Sequence, residues 1–239
     1  MPFVKFIIIF ILLTSNTIVA SILTCIDFNL WWFNIVTFLC WIVVALWIFY
    51  GRTLKYLLFG IKEVEHTKRK LLESYLETSA TKLGIKVPRL YIVDEDKLAT
   101  AEAFGLKCYI FVDTAIFEDF NDNEVLAIIG HEMGHIKRRD SLSRLIYGLL
   151  TILLCLALLS ISVSTIFITW FIVVGFLVFD NVYNRWTEYN ADKIAAEVAG
   201  VKNIKAVLAK FEDIEENKIM SFLCRSHPSS TKRIKSLDE

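Results

Sequence analysis

The 239-residue sequence predicts an α+β membrane protein: a mainly helical domain with a small β-sheet, interrupted by two apolar helical hairpins that supply four transmembrane helices. Two observations carry this. Lys+Arg and Asp+Glu balance at 26 each, yet residues 6–50 and 145–179 together hold a single charge, Asp27. Uncharged runs of 18 or more residues match the ~30 Å hydrocarbon core of a bilayer. The rest of the chain is charged at about one residue in three, the density of an ordinary soluble surface. A wholly soluble globule is thereby excluded. Nucleic acid is not an expected partner, because no segment accumulates the positive charge needed to hold phosphates. The five cysteines (Cys25, Cys40, Cys108, Cys155 and Cys224) are scattered and never form C-x-x-C, so isolated thiols are expected instead of a disulfide framework or a thiolate metal site.

The first apolar block is broken by Asp27 and Asn29 into spans at about 6–24 and 30–50, a hairpin forming a domain over residues 1–50. Arg52 and Lys55 follow it and favour the cytoplasmic side. Residues 61–84 place apolar side chains at helical spacing and stop at Gly84. Leu90 to Val93, Ala99 to Phe104 and Cys108 to Val112 read as short strands, and 113–119 as a short helix. Asn121, Asp122 and Asn123 then offer N-cap side chains for a long helix with Glu124 in its first turn. The second block, residues 145–179, would be roughly 50 Å long as one helix, so two short spans turning near Ser160 to Thr165 are expected. A re-entrant hairpin that never fully crosses is the alternative. Lys137, Arg138, Arg139 and Arg144 precede this block and Arg185 follows it, which puts both ends on the cytoplasmic side. Residues 51–144 and 180–239 are then two parts of one cytoplasmic domain.

Within the long helix, His131-Glu132-Met133-Gly134-His135 matches H-E-x-x-H. Residues i and i+4 share a helix face and aim two imidazoles at one metal, with the intervening Glu beside its open position. Three protein ligands make a catalytic site, so a third must lie downstream. Glu188-Tyr189-Asn190-Ala191-Asp192 offers it: Glu188 can ligate while Asp192 orients an imidazole N–H. Alone, such a pair reads equally as a charged helix face. Between His135 and Glu188 lie 52 residues, including the whole second block. Ligands on one side of a membrane require an even number of crossings between them, which two spans satisfy and one does not. His66 has no motif around it and is expected on a solvated helix face.

These residues resemble the membrane gluzincins, the group that includes HtpX-type proteases and the CAAX prenyl proteases. The matching stretches are EVLAIIGHEMGHIKRRD at 124–140, NRWTEYNADKIAAEVAG at 184–200 and HPSSTKRI at 227–234. The motif order and four apolar segments look most like HtpX. The resemblance implies a zincin-like catalytic domain and an integral membrane zinc endopeptidase with one Zn2+ per chain. His131, His135 and Glu188 would hold the metal, Glu132 would act as general base, and Asp192 would support a histidine. It further implies membrane protein or peptide substrates, a quality-control role, and a multi-pass protein of the cell membrane facing the cytoplasm. One departure stands out: where the family has Asn-Ala-Phe-Ala on a substrate-facing edge strand, this chain has Glu102-Ala103-Phe104-Gly105. The strand from Ala101 to Phe104 would still hold an extended peptide through its main chain. His227 and Arg233 resemble the family's C-terminal pair, which steadies an oxyanion or occupies the zinc at rest; a plain surface turn is the other reading. The rival functions are a regulatory or sensor-type membrane metalloprotease, a catalytically silent membrane binding protein, and a four-helix transporter. Transporters place ionisable groups in their spans, whereas here Asp27 alone lies in the apolar blocks.

Overall fold

The computed structural model describes residues 19, 22, 26, 32–60, 63–94, 99–104, 107–161, 166–212 and 228–239. Apart from residues 19 and 22, the first expected span, at about 6–24, lies outside them, as does Asp27. The chain forms two compact units, Met1–Gly51 with Ser143–Asp180, and Arg52–Leu142 with Asn181–Glu239.

In the first unit, the expected span at 30–50 belongs to helix α1, Trp32–Phe59. This helix outruns the apolar block by nine residues and ends only at Gly60, which takes φ +82°. Its end is set by backbone geometry and not by the last apolar residue. The second block is covered by helices α5, Asp140–Ile161, and α6, Ile166–Ala199; most of the expected turn, residues 162–165, lies outside the described residues. The block is closed at its base by an ion pair between residues 36 apart in sequence. Arg144 Nε and Nη2 donate to Asp180 Oδ1 and Oδ2 at 3.1 and 3.0 Å, and the Tyr147 hydroxyl donates to Oδ1. Such a fork also satisfies both charges at the edge of an apolar segment. Among the described residues, one stretch, Asp140–Leu158, is long and apolar enough to cross a membrane; Ile35–Val44 of α1 is apolar but shorter.

The second unit is built on a three-stranded sheet of β1 (Arg89–Val93), β2 (Ala99–Phe104) and β3 (Lys107–Asp113) in the order β1-β3-β2. β1 runs parallel to β3, with Leu90 opposite Ile110 and Ile92 opposite Val112, and β2 runs antiparallel. Side chains alternate across a sheet, so Leu90, Ile92, Ile110 and Val112 enter the main core while Tyr109, Phe111 and Val93 form a second cluster on the opposite face. Around the sheet stand α2 (Arg69–Leu83), α3 (Ile116–Asp119), α4 (Asp122–Arg138), α7 (Val201–Glu212) and α8 (Ser230–Ser236). The helix expected from residue 61 begins only at Arg69, which is a correction. The Val64 N–H donates to Ile92 O at 2.9 Å, so this stretch follows β1 and its backbone cannot also be helical. His66 is therefore not on a helix face; its ring stacks on Phe117 at 4.0 Å.

Helix α4 positions the H-E-x-x-H residues, and its start is fixed by a capping box. Asn121 Oδ1 accepts from the Glu124 N–H at 3.1 Å, and Glu124 Oε2 accepts from the Asn121 N–H at 2.9 Å. Lys210 of α7 donates to the same Oε2 at 2.6 Å and to Asp119 O at 3.0 Å, tying the cap to the neighbouring helix. Val125, Ile129, Met133 and Ile136 recur at helical spacing and are buried. A second stripe, Gly130 and Gly134, lies against Ala195 and Ala191 of α6. A Cβ on Gly134 would meet Ala191 Cα at 2.8 Å, and one on Gly130 would meet Val198 Cγ2 at 2.7 Å. Only hydrogen fits there, so the two helices approach at backbone contact. Gly134→Ala is expected to push α4 from α6 and lower stability by about 1–3 kcal/mol. Chemical denaturation reads this directly, and an unchanged midpoint would show that the approach is not tight.

Candidate metal centre

The close approach of α4 and α6 brings three ligand atoms together from residues far apart in sequence. His131 Nε2 lies 3.2 Å from His135 Nε2, and Glu188 Oε2 and Oε1 lie 3.4 Å from the two imidazole nitrogens respectively. Among the described residues, His131, His135 and Glu188 form the one group of this kind able to hold a metal ion. The spacing tests the fit. Two atoms bound at 2.0–2.1 Å to a tetrahedral zinc are about 3.3 Å apart. The observed separations match this, and two imidazoles with a carboxylate are a donor set that zinc accepts. Glu188 is buried, 5% exposed, as an ion-pairing carboxylate must be compensated to be.

The outward nitrogens of both rings are engaged. His131 Nδ1 is 2.9 Å from Asp192 Oδ1, the contact expected for Asp192. His135 Nδ1 is 2.9 Å from Asp140 Oδ2. Sequence reasoning missed Asp140, because a residue five places on is not on the same face of a continuous helix. Arg233 of α8 reaches Asp192 by a fork, Nε to Oδ2 at 2.7 Å and Nη2 to Oδ1 at 2.6 Å, and its Nη1 is 3.3 Å from Glu188 Oε2. Its guanidinium is thus committed to two buried carboxylates. Glu132, between the imidazoles in sequence, is partly exposed. Its charge contributes to the electrostatics of both His135 and Arg233. Ala101, Glu102, Ala103 and Phe104 lie on β2, opposite Ile110, Tyr109, Cys108 and Lys107 of β3. β2 packs on α4, and no strand covers its other edge among the described residues. His227 lies outside the described residues.

The electrostatics favour added positive charge. Burial alone would push the His135 imidazole down, but its bonds to Asp140 and Glu188 and the charges of Glu132 and Glu188 prevail and raise it to about 10. His131 is raised too: Asp192 and Glu188 outweigh desolvation and the repulsion of His135. Asp192 is held below the usual carboxylate range because Arg233 and His131 overcome its burial.

Comparison with known proteins places this geometry. The model of peptidase family M48 matches residues 66–239, well over half the chain. The chain belongs to peptidase family M48. Over 112 residues it is 30% identical to a protease HtpX homolog of Bacteroides fragilis (strain YCH46), covering 44% of this chain and 35% of that protein. Over 204 residues it is 23% identical to the CAAX prenyl protease 1 homolog of Arabidopsis thaliana, covering 70% of this chain and 47% of that protein. The crystal structure of S. mikatae Ste24p shares the fold, with a TM-score of 0.63 at 18% identity, covering 95% of this chain and 62% of that one. The chain spans between a third and a half of the length of these curated relatives.

Imidazoles whose surroundings raise their affinity for protons must release those protons to accept a metal. Zinc addition to metal-free protein at pH 7.5 is therefore expected to acidify a weakly buffered solution. Apparent affinity should climb as pH rises from 6 towards 10, the direction set by the raised folded-state values. Calorimetric titration in buffers of different ionisation enthalpy counts the protons; zero release would contradict the electrostatics described.

Proposed function

We propose that this chain is an HtpX-type, membrane-embedded zinc endopeptidase that cleaves membrane protein or peptide substrates in quality control. The observation that carries the reading is the 3.2–3.4 Å spacing of the His131, His135 and Glu188 ligand atoms. Family M48 membership supports peptide hydrolysis as the activity.

His131 and His135 would present Nε2 to the ion, and Glu188 its carboxylate. Zinc held by these three residues would supply Lewis acidity for a peptide carbonyl and for water near neutral pH. Glu132 takes a proton from the attacking water on its carboxylate and passes it to the departing amine. Asp192 holds His131 with Nδ1–H outward and Nε2 inward. Arg233, through its fork on Asp192, enters as a support for that carboxylate and for Glu188, where the resemblance implied that the C-terminal pair steadies an oxyanion or occupies the zinc at rest. The main chain of β2 binds the substrate as an added strand. Glu102 stands where the resembling family carries Asn, so no subsite preference is carried over from that family.

The apolar blocks at 1–50 and 145–179 form four transmembrane helices in two hairpins, with domains at 51–144 and 180–239 on the cytoplasmic side of the cell membrane. The Arg144–Asp180 pair supports this by bringing both ends of the second block together. The bilayer and the substrate are the partners in this reading.

Glu132→Gln should keep stoichiometric zinc and lose peptide hydrolysis by orders of magnitude, about 10²–10⁴-fold for a lost general base. Undiminished turnover in that variant would remove Glu132 from the mechanism. Glu188→Ala should instead lose zinc, and full metal content would move the third ligand elsewhere. For topology, a label at Ser162 should be reached from outside and labels at Glu95 and the C-terminus only from the cytoplasm. Ser162 labelled only from inside would make the second block re-entrant.

A further inference from the structure

Each imidazole of the metal centre has its outward nitrogen on a carboxylate, and each carboxylate is held by an arginine. For His131 these are Asp192 and Arg233. For His135 they are Asp140, whose Oδ2 is 2.9 Å from Nδ1, and Arg138, whose Nε donates to Asp140 Oδ1 at 3.2 Å. The Arg138 guanidinium lies over the ring of Trp186, 3.9 Å from its centre. Trp186 is on α6, two residues before Glu188.

The backbone bends to make this second arrangement. In a continuous helix residue 140 would stand about 140° around the axis from residue 135 and could not return to it. Helix α4 instead ends with Arg139 at φ +53° and ψ +42°, the one positive-φ residue other than glycine among those described. Helix α5 then starts at Asp140, whose carboxylate is buried and turned back to the ring. A left-handed, non-glycine residue is disfavoured in isolation and persists where its neighbours determine it. Here it joins the end of α4 to the carboxylate that faces His135.

We propose that Asp140, Arg138 and Trp186 form a second positioning arm that fixes His135 as an Nε2 ligand and joins the end of α4 to α6 beside Glu188, so that metal retention depends on it. This rests on the reading of the three-residue cluster as a metal site. Asp140 accepts the Nδ1 proton, which sets the tautomer and makes Nε2 a better donor. Arg138 keeps the carboxylate in place, and its planar face on Trp186 fixes Arg138 in turn. None of the three touches the metal position; all act through His135.

The test uses the full chain, purified and loaded with cobalt or zinc, and reads metal affinity by equilibrium dialysis together with the visible absorption of the cobalt form. Asp140→Ala should weaken metal binding roughly 10–100-fold and shift the cobalt bands. Asp140→Asn should fall in between, as it keeps an acceptor without the charge; it serves as the variant of closest shape if alanine impairs folding. Arg138→Gln and Trp186→Ala should weaken binding in the same direction by less. A purely structural role would lower the folded fraction while leaving the affinity and spectrum of folded protein unchanged, and that result in Asp140→Asn overturns the proposal. His135→Ala, measured alongside, separates the two levels. If it loses metal while both Asp140 variants bind as wild type, the arm is wrong and the metal site stands; if it too retains full metal, the site reading itself fails.

Discussion

Compensation of buried negative charge is the constraint on which the larger unit depends. Glu188 and Asp192, one helical turn apart on α6, are 5% and 0% exposed. Ionised carboxylates removed from water cost several kcal/mol each unless opposite charge and hydrogen bonds replace the lost hydration. Arg233 replaces it for Asp192 by a fork and reaches Glu188 with its remaining nitrogen. The two imidazoles supply the rest: the carboxylates around them outweigh burial and favour their protonated forms. A divalent cation bound there would take over the compensation that those protons otherwise give.

Helix spacing turns this charge arrangement into geometry. The imidazole nitrogens of α4 lie 3.4 Å from the Glu188 carboxylate of α6, and beside them the two backbones come closer than ordinary side chains permit. Gly130 and Gly134 on one side and Ala191 and Ala195 on the other allow it. The rotation of α4 is set at its two ends. At the start, the capping box and Lys210 fix which residue begins the helix; at the finish, Arg139 in the left-handed region stops it just after the metal-facing turn. Register, approach and charge therefore act on the same five-residue motif.

The three strands, the capped start of α4 and the convergence of His131, His135 and Glu188 were legible in the sequence, because each rests on a local pattern: alternation, a cap residue or the i, i+4 repeat. The ligand triad was further helped by chemistry, since an incomplete pair demands a third donor. Other features rest on what touches what, which no local pattern reports. The delayed start of α2 follows from a backbone bond between Val64 and Ile92 across the sheet. Asp140 depends on the sign of one φ angle, and a sequence that places Arg at that position gives no warning of it. The close approach at Gly130 and Gly134 depends likewise on the matching Ala191 and Ala195 of α6, far along the chain. Arg233 was singled out from the sequence, but that it faces Asp192 is decided by how α8 packs on α7 and not by its own motif.

The central claim is that His131, His135 and Glu188 hold one metal ion between them. X-ray absorption at the zinc edge on purified, zinc-loaded protein tests it most directly. The account predicts a first shell of low-Z nitrogen and oxygen neighbours near 2.0–2.1 Å, with the outer-shell scattering of two imidazole rings. A sulfur neighbour near 2.3 Å, or a shell with no imidazole signature, would contradict it.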